Sequence, residues 1–491
     1  MSRQVNHGRE VALNISKDDF KSIGYQLVDD IAEFLDNIDQ KPVAKENTPA
    51  QIRALIQPED FPKFGQDPAS LLKETSQALM ENSTLNAHPK FWGYITSSAA
   101  PIGILSEMLA STINPNVGGW NLSPMATEIE RQTIRWIADL IKFPSECGGL
   151  LVSGGNMANF VAFLAARQNK ATWDLRKNGF LHASGKQMIV YGSAETHTWI
   201  QKANDLFGLG TNNIRWIETD SRQRMKADCL VAAIEADLKT GHLPFMVIGT
   251  AGTVSTGAVD PLAEIASICK RFDLWFHVDG AYGAFAAALP EASHDLKSLN
   301  LADSIALDPH KWLYSPLEAG CTLVRNPSHL QQAFSYHPEY YHFGFDEEDP
   351  KTNFYEHGFQ NSRGFRALKV WLGLKHAGSD GVIQMIRENI ELASIMATAL
   401  RNHGEFEVFT EDLSITTFRY KPSGIELDPE HLNQLNSDLL TILQNEGRAF
   451  ISNAIIDGKF LLRACIVNFR TTKEDVQALP MIVEKIGRTL I

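Results

Sequence analysis

The sequence predicts an α/β protein built on a mainly parallel sheet with helices on both faces. Three observations carry that reading. Between residues 100 and 330, short apolar runs alternate with helical stretches; the runs are 149–152, 188–191, 214–217, 245–248, 274–278, 304–307 and 321–324. Continuous apolar strands separated by helices are buried on both faces, as in parallel sheets. Residues able to do chemistry follow these runs: Ser153-Gly154-Gly155, Thr250, Asp279 and Lys311. Ligands of such sheets bind at the carboxyl ends of the strands, so independent motifs point to one place. After residue 380 the pattern changes, and FEVFTEDLSITTFRY and FLLRACIVNF alternate like half-buried antiparallel strands.

A chain of 491 residues is too long for one ordinary core. Three units are expected: an N-terminal helical segment over 1–95, a large α/β domain over 96–379, and a small α+β domain over 380–491. The net charge of −13 is spread along the chain, which argues against nucleic acid and anionic membrane as partners. The five cysteines are scattered, with neither C-x-x-C nor metal-site spacing, so reduced thiols and no metal are expected. MSRQVNHGREVALN lacks the apolar core of a secretory signal, and no apolar run reaches transmembrane length. A soluble, cytoplasmic protein follows as an expectation.

Residues 16–38 read as an amphipathic helix, with Ser16 as cap and Phe20, Ile23, Leu27, Ile31, Phe34 and Ile38 at helical spacing. Its wide apolar stripe packs either on its own domain or on a second copy of the chain. Residues 47–68 are broken by prolines and read as a linker with a short helix. SGGNMANFVAFLAAR reads as a glycine turn opening a helix, whose free N–H groups suit an anion. An ordinary connection reads the same way; it is neither a Walker A loop nor a dinucleotide fingerprint.

ETHTW places His197 just after a strand, either as a structural histidine or stacked on a planar ligand. Thr250 in GTAGT offers a hydroxyl. In HVDGAYGAF, Asp279 ends a buried strand, where a carboxylate needs a partner or caps the next segment. The protonated ring nitrogen of a pyridoxal-type cofactor is such a partner, and the small Ala281 leaves room for a flat ring. In DPHKW, Lys311 ends another strand, where lost hydration lowers a lysine's pKa and fits it to attack an aldehyde. Residues 335–360 are acidic, aromatic and too long for a routine connection, which suggests a lid or a dimer seam.

The order of the glycine turn, ETHTW, GTAGT, HVDGAY and DPHKW resembles the group II pyridoxal-phosphate-dependent decarboxylases, the aromatic-L-amino-acid and glutamate decarboxylase group. The likeness extends to HPKFWGYI, NPNVGGWNLSPMATEIE, SRGFRALKVW and LLRACIVNFRTT. It implies the aspartate-aminotransferase-like architecture known as fold type I, and pyridoxal 5'-phosphate as cofactor. It implies that Lys311 forms the internal aldimine, Asp279 pairs with the pyridinium nitrogen and His197 stacks on the ring. Gly155, Asn156 and His310 then lie by the phosphate, and Thr250 and Ala281 by the ring.

The resemblance further implies decarboxylation of an L-amino acid through an external aldimine and a quinonoid, followed by protonation from a loop tyrosine. Tyr355 matches that tyrosine, while ungapped spacing from SRGFRALK puts Phe354 there instead, as in aldehyde-forming variants. HKW and the apolar Tyr94, Ile95 and Trp120 favour an aromatic substrate over an acidic one such as glutamate. The N-terminal helix and long loop match features that pack across a homodimer with sites at the subunit interface. Aldehyde synthesis, carbon–sulfur cleavage and a catalytically silent dimeric binding protein are the competing readings.

Overall fold

The structure, a computed structural model, describes residues 5–6, 9–56, 60–182, 185–336 and 351–491. At its centre is a seven-stranded sheet. In chain order the strands are β1 (Gly148–Val152), β2 (Met188–Ser193), β3 (Ile214–Ile217), β4 (Leu243–Thr250), β5 (Trp275–Asp279), β6 (Ser304–Leu307) and β7 (Gly320–Val324). Their spatial order is β1-β7-β6-β5-β4-β2-β3. The pairings among β2 to β6 are parallel, whereas β7 runs antiparallel to both β1 and β6. The cause is local. Residues 308–319 hold no crossover helix, and a chain that returns without one reverses direction. Every residue of β1, β2, β5, β6 and β7 is buried, in keeping with their mainly apolar sequence.

The first six helices are α1 (Lys17–Asp36), α2 (Pro49–Ile56), α3 (Pro68–Asn82), α4 (Pro101–Ile113), α5 (Pro124–Leu140) and α6 (Gly155–Lys170). Ser16 caps α1, its Oγ accepting from the Asp19 N–H at 3.0 Å. No residue of α1 is buried within this chain, and Phe20 and Tyr25 are 55% and 64% exposed. Ile23, Leu27, Ile31 and Phe34 of its stripe are half-buried, so the described residues of this chain cover the apolar stripe of α1 only in part. None of the helices among the described residues is long and apolar enough to cross a membrane.

A second sheet is antiparallel, in the order Phe406–Asp412, Ile415–Tyr420, Lys459–Cys465, Ser452–Ile456. The segment 88–95 is laced onto it. The Trp92 N–H donates to the Phe450 carbonyl at 2.7 Å, the Cys465 N–H to the Trp92 carbonyl at 2.8 Å, and the Trp92 indole to Thr471 Oγ1 at 3.1 Å. The buried Trp92 joins Met396, Phe418 and Leu462 in this unit's core. A long helix, Ala367–His403, connects the two sheets and breaks at Gly378, whose φ is +68°. Lys369 near its start pairs with Glu107 of α4 at 3.1 Å. Near its end, the Ala393 carbonyl accepts from Thr416 Oγ1.

One buried ion pair ties the large unit together. Arg363 and Glu130 have almost no side-chain exposure, and Arg363 Nη2 meets Glu130 Oε1 at 2.5 Å. The same guanidinium donates to the carbonyls of Val117 at 2.9 Å and Leu151 at 2.7 Å, while the Leu151 N–H donates to Glu130 Oε1 at 2.9 Å. The ring centre of Phe354 lies 4.8 Å from the guanidinium carbon. Such a pair is retained at a heavy desolvation cost, so losing one partner is worse than losing both. Arg363→Met is expected to lower the unfolding free energy by about 3–5 kcal/mol in urea melts. The double variant Arg363→Met/Glu130→Met is expected to regain most of that loss.

Candidate active site

The carboxyl ends of β1, β4, β5 and β6 open onto a cavity of about 410 Å³. Its wall includes Gly154, Gly155 and Asn156 after β1, Thr250 at the end of β4, Asp279 at the end of β5, and Asp308, His310 and Lys311 after β6. Adjacent parallel strands set Thr250 opposite Asp279 and Asp279 opposite Ala306. The register thus delivers separate motifs to one spot. His197, Ala281 and Ile95 also line the cavity.

The glycine turn is built for close approach. Gly154 sits at φ +90°, open to glycine and strained for other residues. A Cβ on Gly155 would come within 2.8 Å of Asp308 Oδ2. The turn leaves the first N–H groups of α6 facing the cavity end, without intrahelical partners.

Asp279 is 6% exposed and its two oxygens are both engaged. Oδ2 accepts from the Trp199 indole at 2.8 Å and Oδ1 from the Ala281 N–H at 3.2 Å. These donors fix the plane of the carboxylate. Below it lies a neutral chain. The Trp275 indole donates to Ser304 Oγ at 2.8 Å, and Ser304 Oγ and Asn159 Oδ1 flank His277 at 2.8 and 2.7 Å. The Asn159 amide donates to the Gly155 carbonyl at 2.9 Å. Asn159 Oδ1 only accepts, so the neutral His277 donates to it from Nε2 and accepts at Nδ1 from the Ser304 hydroxyl. Burial lowers the His277 pKa to about 4, so the ring is neutral near pH 7. On the other side, Asp260 accepts from the Thr250 N–H at 2.8 Å and the Met225 N–H at 2.7 Å. Burial raises its pKa to about 6.

Lys311 Nζ stands 3.1 Å from Asp308 Oδ2, with its side chain 16% exposed. His310 Nδ1 lies 2.7 Å from the Ala319 carbonyl, and burial lowers its pKa. Trp312 is fully buried, its ring 4.6 Å from that of Tyr282. That packing sets the direction of the preceding lysine. His197 is exposed toward the cavity, its Nδ1 accepting from the Trp199 N–H at 3.3 Å.

Three expected residues stay outside this chain's cavity. Tyr94 adopts φ +52°, its carbonyl is held by Arg463 at 2.9 Å, and its 61% exposed ring leans on Phe450. Trp120 is tied down by its indole bond to Glu128 at 2.9 Å. Tyr355 is buried in the turn Phe354–Glu356, its N–H donating to the Gly118 carbonyl at 3.0 Å. Of the suggested lid, residues 337–350 lie outside the described residues. Residues the motifs did not single out include Trp199, Asn159, Asp260 and Tyr282. Trp199 closes the ETHTW motif itself, so its nearness to His197 was the available signal.

The site suits pyridoxal phosphate. It offers an amine at Lys311, a fixed carboxylate at Asp279 and a glycine turn at a helix start. It also offers a buried Thr250 hydroxyl with no hydrogen-bond partner among the described residues. Comparisons agree. The pyridoxal-dependent decarboxylase conserved domain matches residues 49–421. An aromatic-L-amino-acid decarboxylase of Bacillus atrophaeus is 35% identical over 476 residues, covering 97% of each chain. A crystal structure of Oryza sativa TDC with PLP and tryptamine superposes with a TM-score of 0.90 at 26% identity, covering 98% of this chain and 100% of that one. A Rhodiola rosea 4-hydroxyphenylacetaldehyde synthase structure gives 0.86 at 26% identity, covering 97% and 99%.

The buried imidazole sets a pH dependence. A histidine near 6.5 when unfolded and about 4 when folded takes up its proton more readily in the unfolded chain. Its stabilising effect is present above pH 6.5 and is lost as the pH falls toward 4. At pH 5 the loss is about 2 kcal/mol. His357, also lowered to about 4 by burial and by Arg363, acts in the same direction. Asp260 opposes both, since its folded value lies above the unfolded one. The difference in unfolding free energy between wild type and His277→Asn is expected to shrink by that 2 kcal/mol between pH 7 and pH 5.

Proposed function

The chain belongs to the pyridoxal-dependent decarboxylase family, and we propose that it converts an aromatic L-amino acid to the amine and carbon dioxide. The observation that supports this reading best is the meeting of Lys311, Asp279 and the glycine turn in one cavity. Bound pyridoxal phosphate supplies an electron sink for the negative charge left when carbon dioxide departs. Gly155, Asn156 and His310 would hold its phosphate, Asp279 its ring nitrogen, Thr250, Ala281 and His197 its ring, and Lys311 its aldehyde carbon.

The chain's own groups do the positioning. Asp279, held by Trp199 and the Ala281 N–H, presents a charge that favours a proton on the atom facing it. Lys311, whose amine lines the cavity, would be a base able to carry a proton there. His197 lines the cavity and would help orient the bond that breaks. Ile95, Val254 and Leu317 give the cavity an apolar wall, while Glu195 and Glu318 add negative charge. Glu318 is already paired with Arg366 at 2.8 Å. No arginine lines the wall, and Lys311 is its one lysine among the described residues. A substrate with a second carboxylate would find no spare cation there, which disfavours glutamate.

We infer a homodimer with sites at the interface. Phe20 of α1, Leu79 of α3 and Leu105 and Ile113 of α4 are exposed. A second copy would cover them and bring Trp120 and the Phe354–Glu356 turn toward the partner's cavity. A cytoplasmic location is supported by the five cysteines, which are all free. Tyr355 remains the proposed proton donor. A second reading, aldehyde formation, is favoured by the ungapped spacing that puts Phe354 in its place, and by the aldehyde-synthase relative.

Mass spectrometry of products from tyrosine, tryptophan, phenylalanine and dihydroxyphenylalanine tests both. The expected product is the amine; an aldehyde with peroxide and ammonia would install the second reading. Lys311→Ala is expected to abolish turnover while leaving the thermal melt in place. Tyr355→Phe is expected to slow amine formation by roughly 10²–10⁴-fold.

A further inference from the structure

Asp308 is a buried charged residue of the cavity that the proposed reaction does not use. It is 3% exposed. Oδ2 lies 3.1 Å from Lys311 Nζ and 3.7 Å from His310 Nε2. Oδ1 is buried and has no hydrogen-bond partner among the described residues. The carboxylate also faces the start of α6, since a Cβ on Gly155 would approach Oδ2 to 2.8 Å and Oδ1 to 3.3 Å. A helix start with free N–H groups attracts anions. Asp308 therefore stands where an anion belongs, and its counter-ion is the amine that must react.

A phosphate held at the same helix end would face this buried carboxylate. Two anions at that distance repel unless a proton or cation sits between them. His310 is held toward its neutral form by burial. Lys311 is the remaining cation, and it is the group consumed when an aldehyde binds.

We propose that Asp308 is a positioning residue that holds Lys311 and fills the anion place before the cofactor arrives, and that it opposes the cofactor's phosphate. The proposal rests on the reading that this cavity takes pyridoxal phosphate. The phosphate then contributes less to binding than the helix end alone would give. Uptake requires the Asp308–Lys311 pair to open.

The test compares pyridoxal phosphate with pyridoxal, which lacks the phosphate. Both are titrated into the apo protein, wild type and Asp308→Asn, and followed by tryptophan fluorescence quenching and by the visible band of the bound compound. The ratio of the two dissociation constants measures what the phosphate adds. Lys311 meets the same aldehyde in both compounds, so changes in its reactivity cancel in the ratio. The ratio is expected to favour the phosphate by about tenfold more in Asp308→Asn than in wild type. Asp308→Ser, which also removes the charge, is expected to move it the same way and serves if the first variant does not fold. An unchanged or reduced phosphate advantage overturns the proposal. Wild type that binds neither compound by either signal overturns the cofactor reading, and this proposal with it.

Discussion

The buried pair of Arg363 and Glu130 is the constraint on which the rest of the site depends. It joins the loop before α5, α5 itself, the end of β1 and the segment that carries Phe354 and Tyr355. The glycine turn begins only two residues after Leu151, so its position is inherited from this pair. A buried charge pair is tolerable only when its remaining donors and acceptors are also met. Here the Val117 and Leu151 carbonyls and the Leu151 N–H meet them.

Around that anchor the site divides its charges. The floor of Trp275, Ser304, His277 and Asn159 carries polar atoms but no net charge. Its donor order runs one way, from an indole that only gives to a backbone carbonyl that only accepts. A neutral floor leaves Asp279 as the dominant field beneath the cavity. At the other end Asp308 and Lys311 face each other. One carboxylate is steadied by neutral donors, the other by a cation that chemistry removes.

The sheet was legible because β1, β2, β5 and β6 are mostly apolar runs, and the site because Thr250, Asp279 and Lys311 stand at or just past the ends of such runs. The reversal of β7 was not, since a strand buried on both faces reads the same in either direction. The strand Ser452–Ile456 escaped notice because its SNAII sequence is short and its polar and apolar residues do not follow its alternating burial. The outward placement of Tyr94 depends on a left-handed backbone at a non-glycine residue, which no propensity foretells. The contact of Trp199 with Asp279 joins residues 80 apart in the chain, and pattern reading along one element does not see it.

The lacing of 88–95 onto the small sheet has a consequence for how the molecule is made. Trp92 and Thr471 are 379 residues apart in sequence. On the ribosome Trp92 emerges long before Phe450, Cys465 and Thr471 exist. Contacts of such separation close late, after their loop has been formed. Ile95, three residues on, takes its place in the cavity wall only once that closure is complete. A chain truncated before its last strand would leave Ile95 without the contacts that anchor its segment in the cavity wall.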